Sequence, residues 1–114
     1  MIDFACKKFD INEIIKCSLG LSRADYKLFN FLLGSGEELT TSDISEKIGL
    51  DRTTVQKSVK SLVGKGVVVR LQENLDKGGY MFRYRIKDKE LLKKQIISIL
   101  TSWSAKAEEE IRRW

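Results

Sequence analysis

The sequence predicts a mainly α-helical chain that carries one small β-hairpin. Three observations predict it. A helix-start signature recurs four times between Phe9 and Val55, a strict period-two alternation occupies residues 80–86, and an apolar stripe at helical spacing runs from Leu92 to Trp114.

Each start signature places a small polar cap between two apolar residues, so that the cap oxygen can accept a first-turn N–H while the apolar pair fixes the entry of the chain. Asp10 with Glu13 stands between Phe9 and Ile14, Ser22 with Asp25 between Leu21 and Tyr26, and Thr40 with Asp43 between Leu39 and Ile44. Asp51 stands between Leu50 and Val55 without an acidic partner. In the first three the acidic residue also suits the positive end of the helix.

The first helix is expected over Ile11 to Leu19, with Ile11, Ile14, Ile15 and Leu19 on one stripe. The second, Arg23 to Leu33, is apolar nearly all round through Tyr26, Leu28, Phe29, Phe31, Leu32 and Leu33, so cover on more than one side is expected. Gly34-Ser35-Gly36 ends it, and Leu39 is placed to pair briefly with the later hairpin. A short third helix, Thr41 to Ile48, stops at Gly49. The fourth, Arg52 to Val63, buries Val55, Val59 and Leu62. At 100° per residue its opposite face carries Thr53, Lys57, Lys60 and Gly64, flanked by Thr54, Gln56 and Ser61, with Arg52 at the exposed tip.

Val67 to Leu71 reads as a strand with Val67, Val69 and Leu71 on one face. Tyr80, Phe82, Tyr84 and Ile86 alternate with Met81, Arg83 and Arg85, and Asp76-Lys77-Gly78-Gly79 supplies the turn between the strands. The final segment, Lys89 to Trp114, is one long helix whose stripe comprises Leu92, Ile96, Ile99, Leu100, Trp103, Ala107, Ile111 and Trp114. Its length of roughly 40 Å exceeds what one small protomer covers. Two short helices joined at Gly49 and followed at once by a hairpin make a winged helix-turn-helix. The chain therefore reads as a single winged-helix domain over 1–114: an arm and helix at 1–20, the core at 21–86 and a terminal helix at 87–114.

Charge follows this division. From Arg52 to Lys94 there are twelve Lys and Arg against four Asp and Glu, a balance of +8, so the rest of the +5 chain carries −3. Such asymmetry suits one face that meets a polyanion, although a lysine-rich solvated surface gives the same sum. With no histidine, and carboxylates at caps and on solvated faces, acid–base catalysis has no recognisable centre and no enzyme is expected. Cys6 and Cys17 cannot form a zinc site unaided, so neither a metal nor a cofactor is expected. No apolar run reaches the ~20 residues that span a bilayer, and Met1–Asp10 lacks a signal-like apolar centre, so a cytoplasmic, membrane-free setting is expected.

The fourth helix is the candidate reading element, with Arg52, Thr53, Thr54, Gln56, Lys57 and Lys60 as the residues to meet duplex DNA. Gln suits adenine and Arg suits guanine by bidentate geometry. A merely solvated face is the plain alternative, but such faces commonly carry Glu and this helix has none. On the hairpin, Lys77 at the Gly78-Gly79 tip, with Arg83 and Arg85, suits phosphate or minor-groove contact, and basic residues that protect a strand edge are the alternative. The terminal stripe is read as a homodimer surface. A membrane-surface face is the competing reading, opposed by Glu108, Glu109 and Glu110. Cys6 and Cys17 are incidental thiols or a redox switch, with Lys7, Lys8 and Lys16 lending some positive field.

The runs Leu39 to Ile44, Ile48 to Val55 and Leu62 to Val68, with Gly20 to Tyr26 before them, resemble the MarR and TrmB classes of winged-helix regulators, the latter run recurring in small archaeal forms. The resemblance covers roughly Leu19 to Ile86. It implies a DNA-binding transcriptional regulator that acts as a homodimer and meets the basal transcription machinery by blocking or recruiting it. At this length, shorter than MarR proteins, no separate sugar-sensing domain of the kind typical of TrmB proteins is expected, and no residue pattern identifies an effector pocket. A protein-interaction winged helix within a transcription or RNA-processing assembly, and a regulator gated by Cys6 or Cys17, are the two other functional readings.

Overall fold

In the computed structural model, which describes all of residues 1–114, the elements in chain order are β1 (Ile2–Phe4), β2 (Lys7–Phe9), α1 (Ile11–Leu19), α2 (Arg23–Ser35), α3 (Thr41–Ile48), α4 (Arg52–Gly64), β3 (Val68–Asn74), β4 (Tyr80–Ile86) and α5 (Lys89–Arg113). They fall into two compact units, one of Leu21–Lys87 and one of Met1–Gly20 together with Asp88–Trp114.

The four expected helix starts are where the caps place them, but the caps work differently. Only Thr40 and Asp43 make a reciprocal capping box, each accepting the other's backbone N–H. Asp10 accepts from Asn12, and Asp51 accepts from Thr54. Ser22 accepts from Asp25, whose carboxylate turns away to Ser61, which donates at 2.9 Å, with Lys65 at 3.9 Å. Asp25 is thus a buried tie between α2 and α4 rather than a reciprocal cap.

The core of the Leu21–Lys87 unit is built from Leu28 and Leu32 of α2, Ile44 of α3, Val55, Val59 and Leu62 of α4, and Val67, all essentially sealed from solvent. Leu33, by contrast, is exposed, while α2 packs against α3, α4 and β4. At the helix-turn-helix corner Gly49 takes φ 70°, a left-handed conformation that a Cβ disfavours. The Ser45 hydroxyl donates to the Leu50 carbonyl there, closing the corner.

β3 and β4 pair antiparallel with Val68 opposite Ile86 and Asn74 opposite Tyr80, so β3 runs three residues beyond the expected end at Leu71. Val68, not Val69, is buried, together with Tyr84, while Val69 and Leu71 are half-buried on the other face. Leu39 bridges Tyr84 through bonds of 2.9 and 2.7 Å, as expected, adding a third edge beside β4. The turn carries Gly78 and Gly79 at φ 90° and 81°, where the requirement is conformational, since a Cβ at either meets nothing within 4 Å.

In the other unit, α1 packs on α5. Leu19 and Leu92 are its buried apolar residues, whereas Ile11 at the start of the α1 stripe is exposed. The β1–β2 hairpin was not expected from the sequence. Its turn, Ala5-Cys6, contains none of the Gly, Asn or Asp residues that mark tight hairpins.

Candidate nucleic-acid interface

α4 is held by its buried stripe against α2 and α3, which leaves the opposite side open. On that side Arg52, Thr53, Gln56, Lys57 and Lys60 are all exposed. Thr54 is half-buried; its hydroxyl donates to the Asp51 carboxylate at 2.5 Å and its N–H bonds the other oxygen at 3.1 Å. The Thr54 hydroxyl, and then its backbone N–H, hold the Asp51 carboxyl below the usual carboxylate range. Asp43 is likewise lowered, first by the Thr40 backbone N–H and then by the Thr40 hydroxyl. The carboxylates of Asp43 and Asp51 are therefore committed to helix starts. α4 itself contains no acidic residue, so its outward face offers only cations, amide and hydroxyl.

Beside the tip of α4 lies a cleft of about 500 Å³ lined by Thr40, Thr41 and Ser42 at the start of α3, Arg52 and Gln56 of α4, and Met81, Phe82 and Tyr84 of β4. α4 and the hairpin thus line one cleft.

The basic residues of the hairpin divide between its two faces. The register puts Arg70, Gln72, Phe82 and Tyr80 on one face, and Leu71, Glu73, Met81, Arg83 and Arg85 on the other. Arg83 donates from Nε to Glu73 at 2.7 Å, an interaction that, through its hydrogen bond and then its charge, raises the guanidinium pKa. Arg85 is half-buried and bonds the Ile86 carbonyl at 3.3 Å. Lys77 is exposed at the turn beside Gly78 and Gly79. Arg70 was missed in the sequence: its guanidinium lies 4.4 Å from the Phe82 ring centroid, and Tyr80, exposed, stands 5.2 Å beyond. The alternation of Arg70 with Val69 and Leu71 was visible, but its partner face depends on the register.

On α5, Leu92 is buried, Ile96, Ile99 and Ala107 are half-buried, and Leu100, Trp103, Ile111 and Trp114 are exposed. Cys6 and Cys17 are free and exposed. No group of three or more Cys, Asp or Glu side chains is arranged to hold a metal ion. No helix is long and apolar enough to cross a membrane.

Five helices and two small antiparallel hairpins, with the second hairpin set directly after an exposed basic helix, define a winged helix-turn-helix of the transcriptional-regulator class. Residues 15–90 match the model of the sugar-specific transcriptional regulator TrmB, and the chain belongs to that family. A solved structure described as a possible transcriptional regulator from Methanosarcina mazei Go1 is 39% identical, with a TM-score of 0.91 over 100% of this chain and 96% of that one. An uncharacterised protein of Methanocaldococcus jannaschii is 32% identical over 95% of this chain and 85% of its own length. A MarR family transcriptional regulator from Streptomyces coelicolor is 25% identical, with a TM-score of 0.53 over 82% of this chain and 61% of that one. The family and these structural neighbours are regulators, not enzymes.

Proposed function

We propose that this protein binds duplex DNA in a sequence-specific manner as a homodimer, laying α4 of each protomer in the major groove and the β3–β4 wing along the adjacent backbone or minor groove. The observation that carries the reading is the outward face of α4, where Arg52, Thr53, Gln56, Lys57 and Lys60 are exposed together with no carboxylate among them. Arg52 and Gln56 have the bidentate geometry that discriminates guanine and adenine, Lys60 further along the helix suits phosphate, and Lys77 at the wing tip adds charge. Regulation would follow from occupancy, with the bound dimer blocking or recruiting the transcription machinery.

Dimerisation by α5 is supported by the exposed Leu100, Trp103 and Ile111 on a helix about 37 Å long, beside an α1 about 13 Å long. Recovery of bound fragments from random duplex DNA, followed by titration of the recovered and scrambled sequences over a range of salt, tests the proposal. Preference for one sequence and a steep loss of affinity with salt are expected. Equal binding to both duplexes would refute the sequence-specific reading.

A further inference from the structure

The β1–β2 hairpin presents a face that is largely uncovered. Its register pairs Ile2 with Phe9 and Phe4 with Lys7, so these four side chains share one side, while Asp3 and Lys8 share the other. Ile2 and Phe4 are 53% and 66% exposed, and only Phe9 is half-buried. The Lys7 ammonium lies 5.1 Å from the Phe9 ring centroid, which places one cation against an apolar surface. A two-stranded hairpin this short is marginal in water without something packed on it.

A second uncovered surface lies at the far end of α5. Trp103 and Ile111 are 66% and 67% exposed there, and Trp114 follows. Glu110 belongs to the same surface: it follows Leu92 by about five whole turns and so falls on the line of the apolar stripe. It pairs with Arg113 at 2.8 Å, a guanidinium shared with Glu109 at 3.6 Å. One surface is apolar with a single lysine, and the other is apolar with a carboxylate on its line. Within one protomer the two do not cover each other, since both remain exposed.

We propose that the hairpin of one protomer seats its Ile2, Phe4, Lys7 and Phe9 face on the Trp103, Glu110 and Ile111 surface of α5 in a second copy, with Lys7 meeting Glu110. The charge match selects a second copy as the occupant, and reciprocal docking closes a two-fold dimer. This docking rests on the homodimer reading and specifies how its ends are sealed.

The test is a charge swap read by sedimentation equilibrium. Lys7→Glu and Glu110→Lys should each weaken the dimer about tenfold, and the double variant Lys7→Glu/Glu110→Lys should regain most of the loss. A monomeric wild type at micromolar concentration would remove the dimer reading itself. A wild-type dimer indifferent to either single change, or not rescued by the swap, overturns the docking and leaves the dimer standing. Should a variant fold poorly, Glu110→Cys in a Cys17→Ser background provides a second measurement. Mild oxidation should then link it to Cys6 between chains and give covalent dimers, and their absence would overturn the proposal equally.

Discussion

Ser61 donates its hydroxyl to the carboxylate of Asp25 at 2.9 Å, joining the last turns of α4 to the first turn of α2 across 36 residues of sequence. Asp25 is only 7% exposed, and Lys65 lies 3.9 Å away on the same carboxylate. A buried carboxylate satisfied in this way is costly to disturb from either side. Asp25→Ala should lower the unfolding free energy by about 1–3 kcal/mol, and Ser61→Ala by less, because Lys65 still faces the carboxylate. Urea denaturation of the two variants measures this. An Asp25→Ala protein as stable as the wild type would show that the tie contributes nothing.

The wing should meet DNA through the face that carries Arg70 and Tyr80. Arg83 is bound to Glu73 on the opposite face, whereas the Arg70–Phe82–Tyr80 row extends from the cleft beside Arg52 and Gln56. Arg70→Ala and Tyr80→Ala should therefore weaken binding to all duplexes more than Arg83→Ala does. Glu73→Gln should strengthen it, since one repelling charge is removed and Arg83 is released. Fluorescence titrations at fixed salt decide the matter. Arg83→Ala causing the largest loss would reverse the assignment of the face.

What was legible in the sequence was what is local. The caps at Asp10, Ser22, Thr40 and Asp51 act within a few residues of themselves, and the alternation from Tyr80 to Ile86 is read along one strand. The bond from Ser61 to Asp25 joins elements that only packing brings together. The pairing of Arg83 with Glu73 depends on a register that a one-residue slip would undo. The β1–β2 hairpin escaped because three-residue strands around Ala5-Cys6 are too short for periodicity to register. The fourth helix was legible as a candidate interface because burial of Val55, Val59 and Leu62 dictates what faces outward. The Thr54 hydroxyl, committed to Asp51, shows where face counting stops being sufficient.

Stability should be flat across neutral pH and fall in acid. The chain has no histidine, and the carboxyls of Asp43 and Asp51 are both held below their ordinary range by helix-start hydrogen bonds. A depressed carboxyl contributes stability that is fully present above its unfolded pKa and is lost as pH falls through the folded one. Melting temperatures should accordingly hold steady from about pH 6 to 8 and drop below about pH 4. A fall in melting temperature between pH 8 and 6 would point to a titrating group other than these two.

Trp103→Glu should convert dimers to monomers without unfolding the protomer. The side chain is 66% exposed, so a carboxylate there is solvated in the monomer and uncompensated only in a dimer interface. Sedimentation together with circular dichroism separates the two effects. A Trp103→Glu variant that remains dimeric with native helicity would move the interface away from α5.

The reading helix should distinguish its residues by what each one touches. Arg52 and Gln56 line the same cleft at the tip of α4, so either is placed to enter the groove first, while Lys60 lies two turns further along an exposed face. Arg52→Ala and Gln56→Ala should cost on the order of 1–3 kcal/mol on the preferred site and much less on scrambled DNA, since only a base edge rewards bidentate geometry. Lys60→Ala should weaken both duplexes alike and flatten the dependence on salt, as loss of a phosphate contact does. A two-fold dimer further requires an inverted repeat, with half-site centres roughly 34 Å apart or a multiple of it. The measurement is a titration of each variant against both duplexes at one salt concentration. Equal losses on both for every variant would mean that α4 supplies charge and no sequence information.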